Sequence, residues 1–326
     1  MLQIDGSEGE GGGQIVRSSL TLSMITGQPV AIDNIRARRK NSGLQRQHLT
    51  AVLAAGQICG AGMLGASLGS SRLQFAPGPV RAGNYEFDIG TAGSASLVMQ
   101  TLLLPLMLAA EESTVSLTGG THNPLAPPYE FFALAYLPLV KKIGLHAQVQ
   151  LVRRGFYPAG GGQLQLNVSP AGTLADFSLL ERGAKKRYAA EVVTARLPEN
   201  VGQREASTLQ TKLGWKKDAV RIVDDSTSRG PGNVVLVTLE YEHVTEVIVS
   251  FGARGKRAEQ VALEAAEETQ TYLNASAPVG THLADQLLLP LGIAAGRGHR
   301  SEFRTLPLTQ HSLTHIDICS DSCQFA

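Results

Sequence analysis

Two runs of three glycines followed by glutamine constrain this chain more than any other sequence feature. Gly160 to Gln163 lies in the stretch from Arg154 to Leu164, and Gly11 to Gln14 repeats the same four letters. Glycine loses much backbone freedom on ordering, so three in a row are unsuited to a helix or strand interior but permit a close approach. A tight structural connection before a strand predicted at Gln163 to Val168, or a ligand contact, would explain the second run. The repetition indicates two related units.

Composition restricts the class of protein. Of the 326 residues, 43% are hydrophobic and 17% charged, as in a folded globular protein with room for a large core. The net charge is +1, so contact with nucleic acid requires a local basic patch. The longest apolar run, Leu97 to Ala110, is too short to span a bilayer, and no secretion signal is recognisable. We therefore expect no membrane partner and a cytoplasmic location, where Cys59, Cys319 and Cys323 would be free thiols.

The first glycine run leads into a helix predicted from Ile15 to Ile25, with Gly27 as the left-handed residue beyond its end. Backbone N–H groups at this helix N-terminus can receive an anion, and Arg17 can add a bidentate contact to phosphate. Glu10 is the unusual member, because a carboxylate beside a phosphate site makes sense as a ligand of Mg²⁺ or Mn²⁺. The run has neither Walker nor Rossmann spacing, so a purely structural loop is the alternative.

A basic segment follows, in which Arg36, Arg38 and Lys40 alternate along the chain. On an extended strand these three cations would share one side. Such a row suits a polyphosphate or the phosphate end of an RNA, and a solvated charged surface is the alternative. Aromatic residues are not interleaved with the cations, so stacking on many bases is not indicated.

The stretch from Arg154 to Leu164 resembles the signature of the RNA 3′-terminal phosphate cyclase family, and the resemblance extends from Ile4 to about Ile316. It implies a mixed α/β (α+β) fold. A main domain of repeated βαβαββ units, an architecture shared with enolpyruvyl transferases, would take residues 1–180 and 276–326. A smaller inserted α/β domain would take residues 181–275. Composition alone supports only mixed α and β structure.

The resemblance also implies an ATP site and a site for an RNA 3′-terminal phosphate. Family positions that match this chain assign catalytic roles to His311, Arg17 and Glu10, and Glu10 would also hold the metal. The nucleotide would be bound by Gln100, Pro127, His282, Leu283, Ala284, Asp285, Gln286 and Gln47. The phosphate of the RNA would contact Arg36 and Arg38. Many family members have tyrosine where this chain has His282, which can still stack on adenine over a smaller area.

The implied reaction is the ATP-dependent conversion of an RNA 3′-terminal phosphate to a 2′,3′-cyclic phosphate. Neutral His311 would attack the α-phosphorus of ATP, giving histidine–AMP and pyrophosphate. The RNA phosphate would take the AMP to form RNA-(3′)pp(5′)A, and the vicinal 2′-hydroxyl would expel AMP. Mg²⁺ or Mn²⁺, with Arg17, would offset the charge of the phosphates.

Two alternatives stay open at this point: a catalytically inactive cyclase-like protein that binds RNA or acts in ribosome assembly, and an enolpyruvyl transferase. The presence of His311, Glu10 and Arg17 argues against the first. The run from Leu283 to Gln286 and the glycine-rich signature argue against the second. Family members usually continue beyond the histidine with a helix and further strands. The polar run from Cys319 to Gln324 shows no clear strand, so we expect weaker support for His311.

Overall fold

The computed structural model describes residues 1–9 and 11–323, with side chains up to residue 319. Glu10 and residues 324–326 lie outside the described residues. The helices are α1 (Gly13–Thr26), α2 (Arg46–Cys59), α3 (Ala95–Met107), α4 (Leu137–Lys142), α5 (Glu199–Leu213), α6 (Ala258–Asn274), α7 (Thr281–Gly296) and α8 (Gln310–Cys323). The strands are β1 (Leu2–Asp5), β2 (Val30–Asp33), β3 (Gly62–Leu64), β4 (Leu73–Ala76), β5 (Asn84–Asp88), β6 (Ser113–Gly119), β7 (His146–Arg153), β8 (Gly162–Ser169), β9 (Phe177–Leu179), β10 (Lys185–Ala195), β11 (Val220–Asp224), β12 (Gly232–Tyr241), β13 (Thr245–Phe251) and β14 (Ser301–Phe303). A π-helical turn, Phe131–Tyr136, leads into α4, and a 3₁₀ turn, Lys217–Ala219, precedes β11.

Two units of identical topology confirm the expected fold class. The first runs β1-α1-β2-α2-β3-β4 and the second β5-α3-β6-α4-β7-β8, so each is a βαβαββ unit. Their sheets have the matching strand orders β1-β2-β4-β3 and β5-β6-β8-β7. In each sheet the first two strands are parallel and the other pairings antiparallel. Farther along the chain, β14 pairs in parallel with β9, and α7 and α8 flank β14.

A separate sheet of order β11-β10-β12-β13 is formed within residues 181–275. Strands β12 and β13 pair antiparallel as a hairpin whose turn contains Glu242 and His243. Helices α5 and α6 contact one face of this sheet. Val192 belongs to the core on that side and Val193 to a second cluster, as the alternation of side chains along a strand requires. The designation of residues 181–275 as an inserted domain stays a prediction.

The stretch from Arg154 to Leu164 packs against the other face of the β10–β13 sheet. Phe156 lies in a buried cluster with Val193, Ala195, Val234 and Leu236. The ring is so close to the backbone of β12 that a Cβ at Gly232 would lie 2.0 Å from it. At Gly161, which has a φ of +69°, an added Cβ would lie 2.5 Å from the Arg229 side chain. The second glycine run is therefore a close structural contact between protein segments.

Buried charges continue the same contact. The guanidinium of Arg154 lies 3.2 Å from a carboxylate oxygen of Glu130 and 3.6 Å from one of Asp225. Glu130 also accepts a hydrogen bond of 2.8 Å from His122. Burial raises the pKa of Glu130, but the charges and hydrogen bonds of His122 and Arg154 outweigh it and lower the pKa to about 2. One arginine thus joins the loop before α4 to the loop after β11.

Helix α1 lies at the centre of the fold. Ten of its 14 residues are buried, and it contacts α2, α3 and α8. The predicted left-handed residue at its end is confirmed, since Gly27 has a φ of +73°. Helix α1 begins at the first glycine run and packs against α2 and α8. The N-terminal glycine run and the C-terminal helix α8 therefore meet at one site.

The expectation that Arg36, Arg38 and Lys40 lie along one side of a strand is wrong. Strand β2 ends at Asp33, and the basic segment forms a turn in which Arg36 has a φ of +54°. The Gly43 amide closes the loop by donating to the Ile35 carbonyl at 2.8 Å. A strand needs a partner, and β4 pairs with β2 only as far as Ile32.

No helix within residues 1–9 and 11–323 combines the length and apolar character needed to cross a membrane.

Candidate active site

His311 and Asp285 form the centre of the candidate site. His311 lies in the first turn of α8 and Asp285 in α7. The Nδ1 atom of His311 lies 2.8 Å from Oδ1 of Asp285. The histidine side chain is 35% exposed, whereas that of the aspartate is 6% exposed. A ligand can therefore reach the imidazole, while the carboxylate that orients it is protected from water.

Asp285 is held as an anion. Burial raises the pKa of this carboxyl group, but hydrogen bonds and charge from His311 and His315 outweigh burial, so the pKa lies well below its usual value. A carboxylate can only accept, so the proton of neutral His311 sits on Nδ1 and the lone pair on Nε2. The pair thus has the tautomer that a nucleophilic Nε2 requires.

Two glutamines fix the carboxylate. Gln14, the residue after the first glycine run, donates from Nε2 to Asp285 Oδ1 at 3.1 Å. Gln286 donates to Oδ2 at 2.9 Å, and its own carbonyl oxygen accepts a hydrogen bond from Gln100 of α3. The side-chain oxygen of Gln14 is buried and has no hydrogen-bond partner among the described residues. A buried acceptor without a partner is costly, and a bound ligand with a donor group would satisfy it.

These residues line a cavity that opens to solvent. Five of the site residues expected from the sequence meet at its wall: Arg17, Gln100, Asp285, Gln286 and His311. Leu103, Leu104, Tyr136 and Leu289 contribute an apolar side. An apolar wall facing a few convergent polar groups is the usual form of a small-molecule site.

Positive charge collects where α1 begins. A Cβ at Gly13 would lie 2.3 Å from His48 Nε2 and 3.1 Å from an Arg17 guanidinium nitrogen, so both side chains contact the glycine run. His48 Nδ1 accepts a 3.1 Å hydrogen bond from the Gln45 amide, which leaves the proton of the neutral ring on Nε2. Burial, together with the nearby charges of Arg17 and Arg36, lowers the pKa of His48 to about 3. His48 is therefore a neutral donor beside two cations.

Among the described residues, the other side chains expected at the site do not line the cavity. Gln47 accepts a hydrogen bond of 2.9 Å from the Ser94 amide, at the start of α3. Arg36 donates to main-chain oxygens of Asn41 and Gly43, while Arg38 is exposed. Their proposed contacts with nucleotide and phosphate stay predictions.

The expected adenine contacts are also separate from the cavity wall. Pro127 is half-buried in the loop after β6. His282 is 74% exposed at the start of α7, with Nε2 3.7 Å from Glu268 Oε1. Leu283 and Ala284 are fully buried in the core, so only their backbone is available to a ligand. These four assignments stay predictions.

Sequence reasoning missed four residues that the structure brings to the site: Gln14, Ser18, His48 and His315. The available signals were weak. Gln14 follows the first glycine run, and His315 lies one helical turn beyond His311 on the same face of α8. His48 is a polar residue on an otherwise apolar face of α2, and Ser18 is one of several buried polar residues of α1. Such residues are commonly structural, so their identity alone carries little information.

Comparison with known proteins identifies the class. The family model for RNA 3′-terminal phosphate cyclase matches residues 8–325. A protein of Koribacter versatilis named RNA 3′-terminal phosphate cyclase is 47% identical over 318 residues, which cover 98% of this chain and 88% of the relative. Proteins of the same name from Pseudomonas fluorescens and Salmonella agona are 46% and 45% identical, with 98% of this chain and 91% of each relative covered. The chain belongs to the RNA 3′-terminal phosphate cyclase family and is an enzyme of that class.

Proposed function

We propose that this chain uses ATP to convert an RNA 3′-terminal phosphate to a 2′,3′-cyclic phosphate, through histidine–AMP and RNA-(3′)pp(5′)A. Family membership supports the overall reaction. The observation that carries the proposed chemistry is the hydrogen bond from His311 Nδ1 to buried, ionised Asp285, within a cavity that Arg17 also lines.

The first step follows from the tautomer of His311. Its Nε2 lone pair forms a bond to the α-phosphorus of ATP, and the bond from that phosphorus to the bridging oxygen breaks, releasing pyrophosphate. The imidazole then carries phosphorus on Nε2 and hydrogen on Nδ1, so it is cationic. Asp285, 2.8 Å from Nδ1, stabilises this charge without taking the proton. Arg17 offsets the negative charge of the phosphates.

Polar side chains on the cavity wall would orient the nucleotide, among them the Gln14 oxygen that has no partner among the described residues. The buried oxygen of Gln14 can accept from a ribose hydroxyl or from the adenine amino group. Gln100 and Gln286 present amides on the same wall. Pro127 and His282 would hold the base outside the cavity. Arg36 and Arg38 would receive the phosphate end of the RNA, and Gln47, next to the neutral His48, would contact the nucleotide.

A divalent metal is proposed only through Glu10, which lies outside the described residues. Among the described residues no cluster of three or more His, Cys, Asp and Glu side chains could hold a metal. One carboxylate together with substrate phosphates is an ordinary way to bind Mg²⁺. A bound Mg²⁺ or Mn²⁺ would supply charge compensation on the phosphates.

The later steps use the activated RNA end. An oxygen of the RNA phosphate bonds to the phosphorus of histidine–AMP, and the bond to Nε2 breaks, which restores His311. The vicinal 2′-hydroxyl then bonds to the RNA phosphorus and gives its proton to water, while the bond from that phosphorus to the oxygen of AMP breaks and AMP leaves. The RNA must therefore carry that hydroxyl at its end. We place this reaction in the cytoplasm, where Cys59 would remain a free thiol.

The test is incubation with α-labelled ATP and Mg²⁺ or Mn²⁺, followed by denaturing electrophoresis. We expect acid-labile label on the wild type, none on His311→Ala, and strongly reduced label on Asp285→Asn. His243→Ala, which changes an exposed histidine in the β12–β13 turn, serves as the matched control and labels like the wild type. Full labelling of His311→Ala would refute the assignment. A folded wild type without label would favour the RNA-binding, catalytically inactive alternative.

A further inference from the structure

A second histidine connects three helices behind the proposed nucleophile. His315 lies on α8, one turn after His311, and is 6% exposed. Its Nδ1 is 3.1 Å from the main-chain oxygen of Asp285 and 3.5 Å from Oδ1 of the same residue. Its Nε2 is 3.1 Å from the hydroxyl oxygen of Ser18 on α1. The His315 imidazole thus lies next to both the main chain of Asp285 and its carboxylate, which orients His311.

The neighbours fix the tautomer of His315. A carbonyl oxygen and a carboxylate oxygen can only accept hydrogen bonds, so Nδ1 must carry the proton. The Nε2 of the neutral ring then accepts the Ser18 hydroxyl proton. Both histidines around Asp285 therefore donate from Nδ1. His311 donates to the carboxylate, whereas the nearest acceptor of His315 is the main chain.

The connectivity of Ser18, His315 and Asp285 is that of a serine nucleophile with its base, but the geometry does not suit that role. Ser18 is 4% exposed, so its hydroxyl presents little surface to a substrate phosphorus. His315 Nδ1 is also closer to the Asp285 carbonyl than to its carboxylate. His311, which is 35% exposed, is the accessible member of the cluster. The geometry thus suits a support for Asp285.

We propose that His315 is a positioning residue, which holds the Asp285 backbone through its Nδ1 proton and so keeps Asp285 aligned with His311. This inference rests on the proposed function of His311. The carboxylate is held by Gln14 and Gln286, but both act on the side chain alone. His315 contacts the backbone of α7 from α8, the helix that carries His311. Without it, the alignment of Asp285 with His311 Nδ1 is lost and the proton can move to Nε2, which removes the nucleophilic lone pair.

Two substitutions of His315 test the contacts of its two ring nitrogens one at a time. In His315→Asn, the side-chain nitrogen occupies the place of Nδ1 and can still donate to the Asp285 carbonyl. In His315→Gln, the side-chain nitrogen reaches the place of Nε2 and can still contact Ser18. We expect the Asn variant to form histidine–AMP within about threefold of the wild-type rate, and the Gln variant to be slower by about tenfold or more, as for other partners that orient a reactive group.

The deciding readout needs no ATP. Long-range ¹H–¹⁵N spectra of ¹⁵N-histidine-labelled full-length chain report which ring nitrogen carries the proton, and the His311 signals are assigned by their loss in His311→Ala. We expect His311 to be protonated on Nδ1 in the wild type and in His315→Asn, and to shift toward Nε2 protonation in His315→Gln. Circular dichroism checks that both variants are folded.

Each outcome separates this inference from the proposed function. A wild-type His311 protonated on Nε2 would overturn the inference without any variant. If His311 lost its Nδ1 protonation in His315→Asn but kept it in His315→Gln, the positioning role would belong to the Ser18 contact. This result would also overturn the inference. Should His315→Gln not fold, an altered tautomer of His311 in folded His315→Asn would still overturn the inference. A wild type with the expected tautomers but no adenylylation would contradict the proposed function and leave the positioning of Asp285 established.

Discussion

Acidification from pH 7 to pH 5 is expected to destabilise this protein through His48. The ring is buried where α2 begins, next to Arg17 and Arg36. Burial and the two cations lower its pKa from 6.5 to about 3, so the folded protein keeps the ring neutral at pH 5. In the unfolded chain the same histidine titrates near its ordinary value.

The sign and the size of the effect follow from this difference. Below pH 6.5 the unfolded chain gains a proton that the folded protein does not bind. The contribution of His48 to stability is therefore complete above pH 6.5 and is lost as the pH falls toward 3. The loss approaches about 1.4 kcal/mol per pH unit, which amounts to about 2 kcal/mol between pH 7 and pH 5.

The assay compares urea unfolding of the wild type and His48→Asn at both pH values, followed by far-UV circular dichroism. Asparagine can accept the Gln45 amide hydrogen bond but does not titrate. With a urea slope of about 3 kcal/mol/M, the wild-type midpoint should fall about 0.7 M further than that of the variant. Trp215, which stacks on Tyr188 in the β10–β13 region, provides a control signal from another part of the chain. An equal loss of stability in both proteins would refute a neutral, buried His48.

Three further predictions concern close contacts and buried charge. Gly232→Ala should lower the unfolding free energy by about 1–3 kcal/mol, measured by Trp215 fluorescence in urea, because the new Cβ would lie 2.0 Å from the Phe156 ring. Burial, with the nearby Glu268 charge, raises the pKa of Glu246 from 4.5 to about 8. The contribution of Glu246 to stability is therefore complete below pH 4.5 and is lost as the pH rises through 8. In Glu246→Gln this decline should be absent, as measured by comparing urea unfolding midpoints at pH 5.5 and pH 7.5. Gly13→Ala should reduce adenylylation about tenfold or more in a labelling assay, since its Cβ would displace the side chains around the glycine run; an unchanged rate would contradict a close contact there.

Much of the fold could be predicted because its signals are local. The apolar spacing of α1 and the glycine at its end are sufficient to place the helix, and Gly27 has the expected left-handed backbone. The two βαβαββ units followed from the family resemblance and are observed as sheets of matching strand order. The basic segment was misjudged because the alternation of Arg36, Arg38 and Lys40 does not report whether a partner strand is present.

The candidate site was predicted less completely because most of it depends on tertiary contacts. Asp285 and His311 were expected from matching family positions, but their hydrogen bond arises from the packing of α7 against α8. Nothing in the sequence indicates that His315 contacts the Asp285 backbone. The low pKa of His48 depends on burial by the surrounding fold and on two arginines from other elements. The enolpyruvyl transferase alternative has no support from the comparisons, since the relatives carry the cyclase name.

The most direct test of the central claim follows the RNA itself. An oligoribonucleotide with a labelled 3′-terminal phosphate is incubated with the protein, ATP and Mg²⁺ or Mn²⁺, and then treated with phosphatase. We expect the label to become resistant to phosphatase, as a 2′,3′-cyclic phosphate, only when ATP and His311 are both present. The same RNA with a 2′-deoxy terminal nucleotide should stop at the adenylylated end. A label that stays sensitive to phosphatase, from a folded protein supplied with ATP, would show that the protein does not cyclise the RNA end.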